Sequence, residues 1–299
     1  MDQSQPDLTV SIVSADNLDL LLPCLRSVFT NTHRITLEVF VVDNASSDNT
    51  ATVVAAEFPQ VNVVHNVTRL GFSTNNNLVL RQGHGRYLML LNDDTIVLDG
   101  AFDALVNLAD LHLDAAAFGA WLLNPDGTYQ QSFAAFPHPL IEPFASATYL
   151  ASRQQPPTIP FEVDIVSGAC LMVRRKVIEE VGVLDTSFDP IYSEEFDWCY
   201  RIRQAGYRIR VVPNARIIHY GSYTMNRTML RKLDLLYGHK VLYFKKHHGL
   251  LGAWSYKILL AVVSMAKASV FALLSFAGKS DRREQAVLQW NLARKVLFY

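Results

Sequence analysis

Between Leu8 and Asp94 the chain alternates short apolar runs with helix-period segments, and that alternation leaves few folds open. LTVSIVS (8–14), LEVFVVDN (37–44), VNVVHN (61–66) and RYLMLLNDD (86–94) read as strands rich in Val, Leu and Ile. The segments NLDLLLPCLRSVFTN, SSDNTATVVAAEF and GFSTNNNLVLRQG between them follow a helical pattern. The second opens on the N-cap candidates Ser46, Ser47 and Asp48, and the third on a glycine. Strands separated by helices of this length predict an α/β fold with a mostly parallel central sheet flanked by helices. Such sheets bind ligands beyond the carboxyl ends of their strands. Asp43-Asn44, Asn66 and Asn92-Asp93-Asp94 all fall at those ends.

The second half is more mixed. AFGAWLLNPDGTYQQSF predicts two strands around a turn at Asn124-Pro125-Asp126-Gly127. Residues 137–160 contain six of the twelve prolines and little periodicity, which predicts a loop or lid. VDIVSGACLMVRR (163–175) returns to strand, IYSEEFDWCYRIRQAGY is helical from about Glu194, and YRIRVVP and ARIIHYG read as two short strands.

From about Met225 the chain changes character. Residues 1–224 carry 25 acidic against 14 basic side chains, a balance of −11, whereas 225–299 carry 3 against 13, a balance of +10. The two parts are therefore expected to face different surroundings, as a body over 1–224 and a helical extension over 225–299. An acidic body without a basic, aromatic-studded stripe argues against a nucleic-acid binder. In the extension, RTMLRKLDLLYGHKVLYFKKHHG is basic and amphipathic, and 258–278 is almost wholly apolar except for Lys267. A charge at the centre of a bilayer is costly, so a helix lying in or re-entering the membrane face fits better than a span. A helical subdomain or a dimer interface is the alternative, and a homo-oligomer is compatible with the sequence. The polar start MDQSQPDLTV lacks a signal-peptide layout, giving the expectation of a cytoplasmic protein peripheral to the inner face of the membrane. Cys24, Cys170 and Cys199 show no metal spacing and read as buried free thiols.

Several polar residues have types suited to chemistry. Asp93 and Asp94 repel each other at the end of a buried strand, which a helix N-cap, water or a cation can offset; Mg²⁺ and Mn²⁺ favour carboxylate and phosphate oxygens. Asp43 can cap a turn, or accept from a base N–H or a ribose hydroxyl. Gly71 and Asn75, Asn76 and Asn77 open a helix whose amides suit a phosphate or sugar. In SEEFDWCYR, Glu194, Asp197 and Trp198 share one helical face and Glu195 another, and a carboxylate there can act as a general base or pair with Arg201 and Arg203. His219 ends an apolar run, as a structural residue or a metal ligand.

The succession VSIVSADN, VVDNASSDNT, N-x-x-x-x-GF-x-x-x-NN, LLNDDT, VSGACLMVRR, SEE-x-DWCYRIRQAGYRI and IIHYG over residues 8 to 224 resembles the family 2 inverting glycosyltransferases of GT-A fold, most closely their bacterial rhamnosyltransferase-type branch. The resemblance implies a nucleoside-diphosphate sugar donor, Mg²⁺ or Mn²⁺, and a glycan or lipid-linked acceptor at a membrane surface reached through 225–299. It implies that Asp43 binds the base, that Asp94 is the metal-binding Asp of a DxD-like element with Asn92 in place of the first Asp, and that His219 completes the metal site. Ser14, Asn44, Gly71, Asn77, Asn92, Asp93 and Gly168 fall against the donor. Glu195 matches the general base, beside Glu194 where the family's pair is usually Glu-Asp, and Asp197 and Trp198 fall on the acceptor side. The expected reaction moves a sugar, rhamnose among the candidates, during cell-surface polysaccharide synthesis. A sugar-phosphate nucleotidyltransferase needs a Gly-rich basic loop after the first strand, where SADNLDLLLP has neither glycine nor basic residue. A non-catalytic membrane scaffold is a third reading, and a Rossmann dehydrogenase lacks its GxGxxG.

Overall fold

The computed structural model describes residues 5–144, 157–221, 229–276 and 281–299. They divide into two compact units, one of Met1–Phe136 with Leu150–Thr224 and one of Pro137–Tyr149 with Met225–Tyr299. The proline-rich segment expected to form a loop or lid is thus shared between them, and its residues 145–156 lie outside the described ones.

The first unit opens with β1 (Leu8–Ser14), α1 (Leu18–Thr30), β2 (Leu37–Asp43), α2 (Thr50–Glu57), β3 (Asn62–His65), α3 (Phe72–Gln82) and β4 (Tyr87–Asn92). It continues through β5 (Thr95–Val97), α4 (Ala101–Leu111), β6 (Ala115–Leu123), β7 (Phe133–Ala134), β8 (Phe161–Val163) and β9 (Ile165–Val166). β10 (Cys170–Arg174), α5 (Arg175–Val181), α6 (Glu194–Gln204) and β11 (Arg208–His219) complete it. One sheet runs in the order β3-β2-β1-β4-β10-β6-β11-β5, with β8 alongside β11.

The first four strands are parallel, as their intervening helices require. The second half is mixed: β10 runs antiparallel to both β4 and β6, and β11 is parallel to β6 but antiparallel to β5 and β8. Among the described residues no α-helix lies between β6 and β10, so β10 has no crossover to return it in parallel. The two short strands read around Pro213 are one strand, β11, whose register with β6 shifts between Val212 and Arg216. Proline supplies no ladder donor, and a bulge accommodates it.

Alternation along β4 divides the core. Tyr87, Met89 and Leu91 pack with Leu21, Leu25, Phe102 and Leu105 on one face, while Leu88 and Leu90 pack with Leu171, Ile178, Trp198 and Ile202 on the other. The three cysteines are free and buried, and burial pushes each thiol up to about 12.

The second unit is built on α7 (Met229–Phe276) and α8 (Asp281–Lys295). α7 is broken at Gly249, whose φ of 69° is left-handed. Tyr243, Phe244 and Tyr256 form its buried centre, with the Phe244 and Tyr256 rings 4.6 Å apart. Leu233–Ser275 is long and apolar enough to cross a membrane by length and composition. A stripe of Leu251, Trp254, Ile258, Val262 and Met265 is exposed, Leu251 at 84%. Lys267, the charge that argued against a span, is also exposed and lies about half a helical turn from that stripe. Residues 277 and 278 of the apolar stretch lie outside the described residues.

Candidate active site

Strand register brings the polar clusters to one end of the sheet. Ser14 is paired with Asp43, Val13 with Asn92 and Thr95 with His219. Backbone hydrogen bonds tie the connecting loops together: Asn44 N–H to Ser14 O (2.8 Å), Asn92 N–H to Ala169 O (3.0 Å) and Tyr220 N–H to Asp94 O (2.9 Å). Left-handed non-glycine residues, sterically costly for side chains with a Cβ, gather in these loops at Asp16, Ala45, Tyr192 and Ser193.

Asp43 is buried at the end of β2. Its Oδ1 accepts from Ser46 N (3.0 Å), and its Oδ2 lies 2.8 Å from His65 Nδ1. Burial raises the Asp43 pKa, but the bonds to Ser46 and His65 outweigh it and leave the group below its ordinary value. Asn44 holds the chain before α3: its Oδ1 accepts from Leu70 N (2.8 Å) and its Nδ2 donates to Leu70 O (3.0 Å).

Asp94 Oδ1 and His219 Nε2 are 3.2 Å apart, with side chains only 10% and 14% exposed. Asn92 Nδ2 lies 3.1 Å from the same nitrogen. An octahedral cation with ligands at about 2.0–2.1 Å places neighbouring ligand atoms about 3 Å apart, so this pair fits two adjacent positions of one divalent ion. Among the described residues no group of three His, Cys, Asp or Glu converges. A cation here would complete its shell with phosphate and water oxygens, the usual habit of Mg²⁺. Beside the pair, Asp93 is pushed up to about 7, first by burial and further by the charge on Asp94. Contact with the side chains of Ser14 and Asn17 draws it back down, and Ser14 Oγ and Asn17 Nδ2 are buried donors with no other hydrogen bond.

The start of α3 corrects the expected phosphate site. The Asp189 carboxylate accepts from Ser73 N (2.9 Å) and from the Thr74 hydroxyl (2.5 Å), so the chain caps these amides itself. Gly71 is required there because a Cβ would sit 2.1 Å from Asp189 Cγ. The three asparagines are structural. Asn75 accepts from Asn66 (2.6 Å), Asn76 accepts from Ser11 (2.7 Å) and donates to Phe72 O (3.0 Å), and Asn77 exchanges two bonds with the Leu184 backbone (2.8 and 3.0 Å). Asn77 is 1% exposed with both ends of its amide engaged, so it does not face the donor.

The same bonds clamp the 184–193 loop, which leads into α6, onto α3; Phe72 N–H adds a bond to Pro190 O (2.8 Å). Glu194 and Glu195 occupy the first turn of α6, where the helix dipole favours negative charge. Glu194 is buried, its Oε2 has no hydrogen-bond partner, and its pKa is raised well above normal by burial and by the charges of Glu195 and Asp189. Glu195 is half-buried beside Gly168 and Phe72: a Cβ built on Gly168 would lie 3.9 Å from Glu195 Cβ and 4.0 Å from Phe72 Cζ. The acceptor-side expectations for Asp197 and Trp198 are corrected. Both are 0% exposed; Asp197 accepts from Arg201 Nε (2.8 Å) and Trp198 Nε1 donates to Gly182 O (2.9 Å) within the core. Their shared helical face is real, but it points inward.

A cavity of about 550 Å³ lies at the other end of the sheet, lined by Asp7, His33, Arg86, Asp99, Asp103 and Asp110. Its groups are matched among themselves: Arg86 pairs with Asp7 (2.7 Å) and Asp110 (2.6 Å), and His33 with Asp99 (2.7 Å). That leaves the strand carboxyl ends as the better candidate for chemistry. Sequence reading missed His65 on Asp43, Asp189 at the start of α3 and Gln130 on His219, none of them near its partner in sequence.

A mixed sheet with carboxylates and a histidine at its strand ends is the architecture of the nucleotide-sugar transferases of GT-A type. The family profile described as Glycosyl transferase family 2 matches residues 9–182, and the chain belongs to that family. It is 27% identical over 214 residues to the N-acetylglucosaminyl-diphospho-decaprenol L-rhamnosyltransferase of Mycobacterium tuberculosis (strain CDC 1551 / Oshkosh), covering 64% of this chain and 69% of that protein. The mannosyltransferase PcManGT from Pyrobaculum calidifontis, solved with GDP-Man and Mn²⁺, matches with a TM-score of 0.60 at 20% identity over 99% of this chain and 88% of its own. GalNAc-T7, solved with UDP, GalNAc and Mn²⁺, matches with a TM-score of 0.57 at 18% identity over 73% of this chain and 44% of its own. At these identities the two structures establish the shared fold. The chain is a glycosyltransferase, similar to a rhamnosyltransferase.

Proposed function

We propose that this enzyme transfers a sugar, with rhamnose the first candidate, from a nucleoside-diphosphate donor to a hydroxyl of a lipid-linked or growing cell-surface glycan, inverting the anomeric centre. The observation that carries the reading is that Asp43, Asp94 and His219 lie at one end of the sheet, at or just beyond the ends of their strands, and Glu195 in the first turn of α6, with Asp94 and His219 3.2 Å apart. Likeness to a rhamnosyltransferase whose name specifies an N-acetylglucosaminyl-diphospho-decaprenol acceptor supports the substrate class.

In this reading Asp43 receives the base or ribose of the donor. Asp94 and His219 hold Mg²⁺ or Mn²⁺, which when bound neutralises the charge of the leaving diphosphate. Without a cation Asn92 Nδ2 donates to His219 Nε2, a bond that would give way when the cation takes that lone pair. Glu195 takes the proton of the acceptor hydroxyl, whose oxygen bonds to the anomeric carbon as the bond to the diphosphate oxygen breaks. Nucleoside diphosphate leaves, and Glu195 releases its proton to solvent. Ser14 and Asn17, buried donors beside Asp93, are suited to receive an oxygen of the donor.

A thermal-shift panel of nucleoside-diphosphate sugars with Mn²⁺ tests this directly. A true donor at one hundred times its Kd adds about 2.7 kcal/mol, a rise of several degrees in Tm. Proton NMR of the product should then show the opposite anomer. A panel in which no sugar nucleotide stabilises the protein would sink the reading.

The second partner we propose is the inner, cytoplasmic face of the cell membrane. The +10 balance of residues 225–299 and the exposed stripe from Leu251 to Met265 together suit a helix lying in an anionic surface. Co-sedimentation with vesicles containing phosphatidylglycerol should be strong at low salt. A double substitution, Leu251→Glu with Trp254→Glu, should weaken it about tenfold or more. Equal sedimentation of the variant would remove the stripe from this role.

A further inference from the structure

Gln130 follows the turn after β6, and its backbone N–H donates to Leu122 O (2.9 Å), which fixes its place beside the end of β11. Its side chain spans His219. Gln130 Nε2 donates to the His219 backbone carbonyl (2.9 Å) and to Asn124 Oδ1 (3.0 Å), while Gln130 Oε1 lies 2.5 Å from His219 Nδ1. A backbone carbonyl can only accept, so the Gln130 amide has a single orientation that satisfies it. Asn124 is oriented in the same way, because its Nδ2 donates to Tyr129 O (3.3 Å) and Thr128 Oγ1 (2.9 Å). With Oε1 on the ring, Nδ1 must carry the imidazole proton. In the neutral ring, Nε2 then presents its lone pair. That lone pair faces Asn92 Nδ2 at 3.1 Å and Asp94 Oδ1 at 3.2 Å.

Without Gln130 the opposite tautomer would be favoured, since a proton on Nε2 could be donated to the Asp94 carboxylate. We propose that Gln130 is a positioning residue which holds the proton on Nδ1 and so keeps the His219 Nε2 lone pair, which accepts from Asn92 in the metal-free protein, available to ligate a divalent cation together with Asp94, a role resting on the metal-dependent reading above. A lone pair and a carboxylate oxygen at this distance repel each other, and a cation shared between them removes the repulsion. Metal-ligating histidines are commonly oriented through their second ring nitrogen, and loss of such a partner weakens metal binding about 10–100-fold. Here the partner is a neutral amide, itself locked by the His219 backbone carbonyl and the Asn124 side-chain oxygen. Its arrival from the β6–β7 segment makes the cation site depend on three separate parts of the chain.

Two measurements on the full chain test this. Imidazole ¹⁵N NMR of histidine-labelled protein, metal-free at pH 8.5, should place the His219 proton on Nδ1 in the wild type. Gln130→Met should move it to Nε2, and Gln130→Glu, which keeps an acceptor opposite Nδ1, should restore it. Electron paramagnetic resonance titration of Mn²⁺ in the presence of inorganic pyrophosphate should give a Kd about 10–100-fold weaker for Gln130→Met. A wild-type ring protonated on Nε2, or a Gln130→Met variant that binds Mn²⁺ as tightly as wild type, overturns the proposal. A wild type with its proton on Nδ1 that binds no Mn²⁺ overturns the metal-dependent reading of the site and the ligating role with it, a failure distinct from a wrongly assigned Gln130.

Discussion

Replacing Glu195 by glutamine is expected to slow sugar transfer about 10²–10⁴-fold while leaving nucleotide binding essentially unchanged. The substitution preserves volume and removes only the ability to accept a proton, so a general base is lost and little else. Glu194→Gln provides the contrast. Glu194 is buried with an unpartnered oxygen, and burial, Glu195 and Asp189 hold its pKa above the ordinary value of 4.5. A carboxyl raised in the fold binds its proton more tightly there than in the unfolded chain. It therefore adds stability below pH 4.5, which is lost as the pH rises through the folded value. Glu194→Gln should abolish that loss and raise Tm by several degrees at pH 8, since leaving a buried charge unpaired costs several kcal/mol. Single-turnover kinetics and thermal melts from pH 4 to 9 separate the two. Full transfer by Glu195→Gln, with a collapse in Glu194→Gln, would exchange their roles.

Asp94→Ala should abolish the metal-dependent part of donor binding. The carboxylate and the His219 ring are the pair that would reach the proposed cation, and among the described residues no third acidic, histidine or cysteine side chain converges with them. Losing one of two protein ligands, and with it the neutralisation of the diphosphate, should weaken binding with Mn²⁺ about 100-fold or more. Binding in the presence of a chelator should be the same in variant and wild type. Isothermal titration with the donor's nucleoside diphosphate, with and without Mn²⁺, reads both arms. A wild type whose affinity ignores Mn²⁺ would rule out the cation, and an unaffected Asp94→Ala would move it elsewhere.

The sheet's parallel half was legible because each of its strands and helices is a local pattern. Apolar runs such as Tyr87–Leu91 are buried strands whatever follows them, and the rule that ligands gather at strand carboxyl ends pointed to Asp43 and Asp94. Short-range periodicity failed where the decisive partner was remote. The asparagines of α3 looked available because their partners, Ser11, Asn66 and Leu184, belong to other elements. Asp197 and Trp198 share a helical face in any reading, but only the packing of α6 against the sheet decides that this face is the buried one.

By itself the sequence determined the order of elements in the parallel half, the acidic body and basic extension, and the residue types waiting at the strand ends, all properties of neighbours along the chain. The tertiary structure alone decided that β10 enters antiparallel, that Asp189 caps α3 from 116 residues away, and that Gln130 turns the ring of His219 from 89 residues away. The reason is physical. Propensity and burial act on consecutive residues, whereas a hydrogen bond between distant loops exists only once strand order and register have brought its two halves within 3 Å or so of each other.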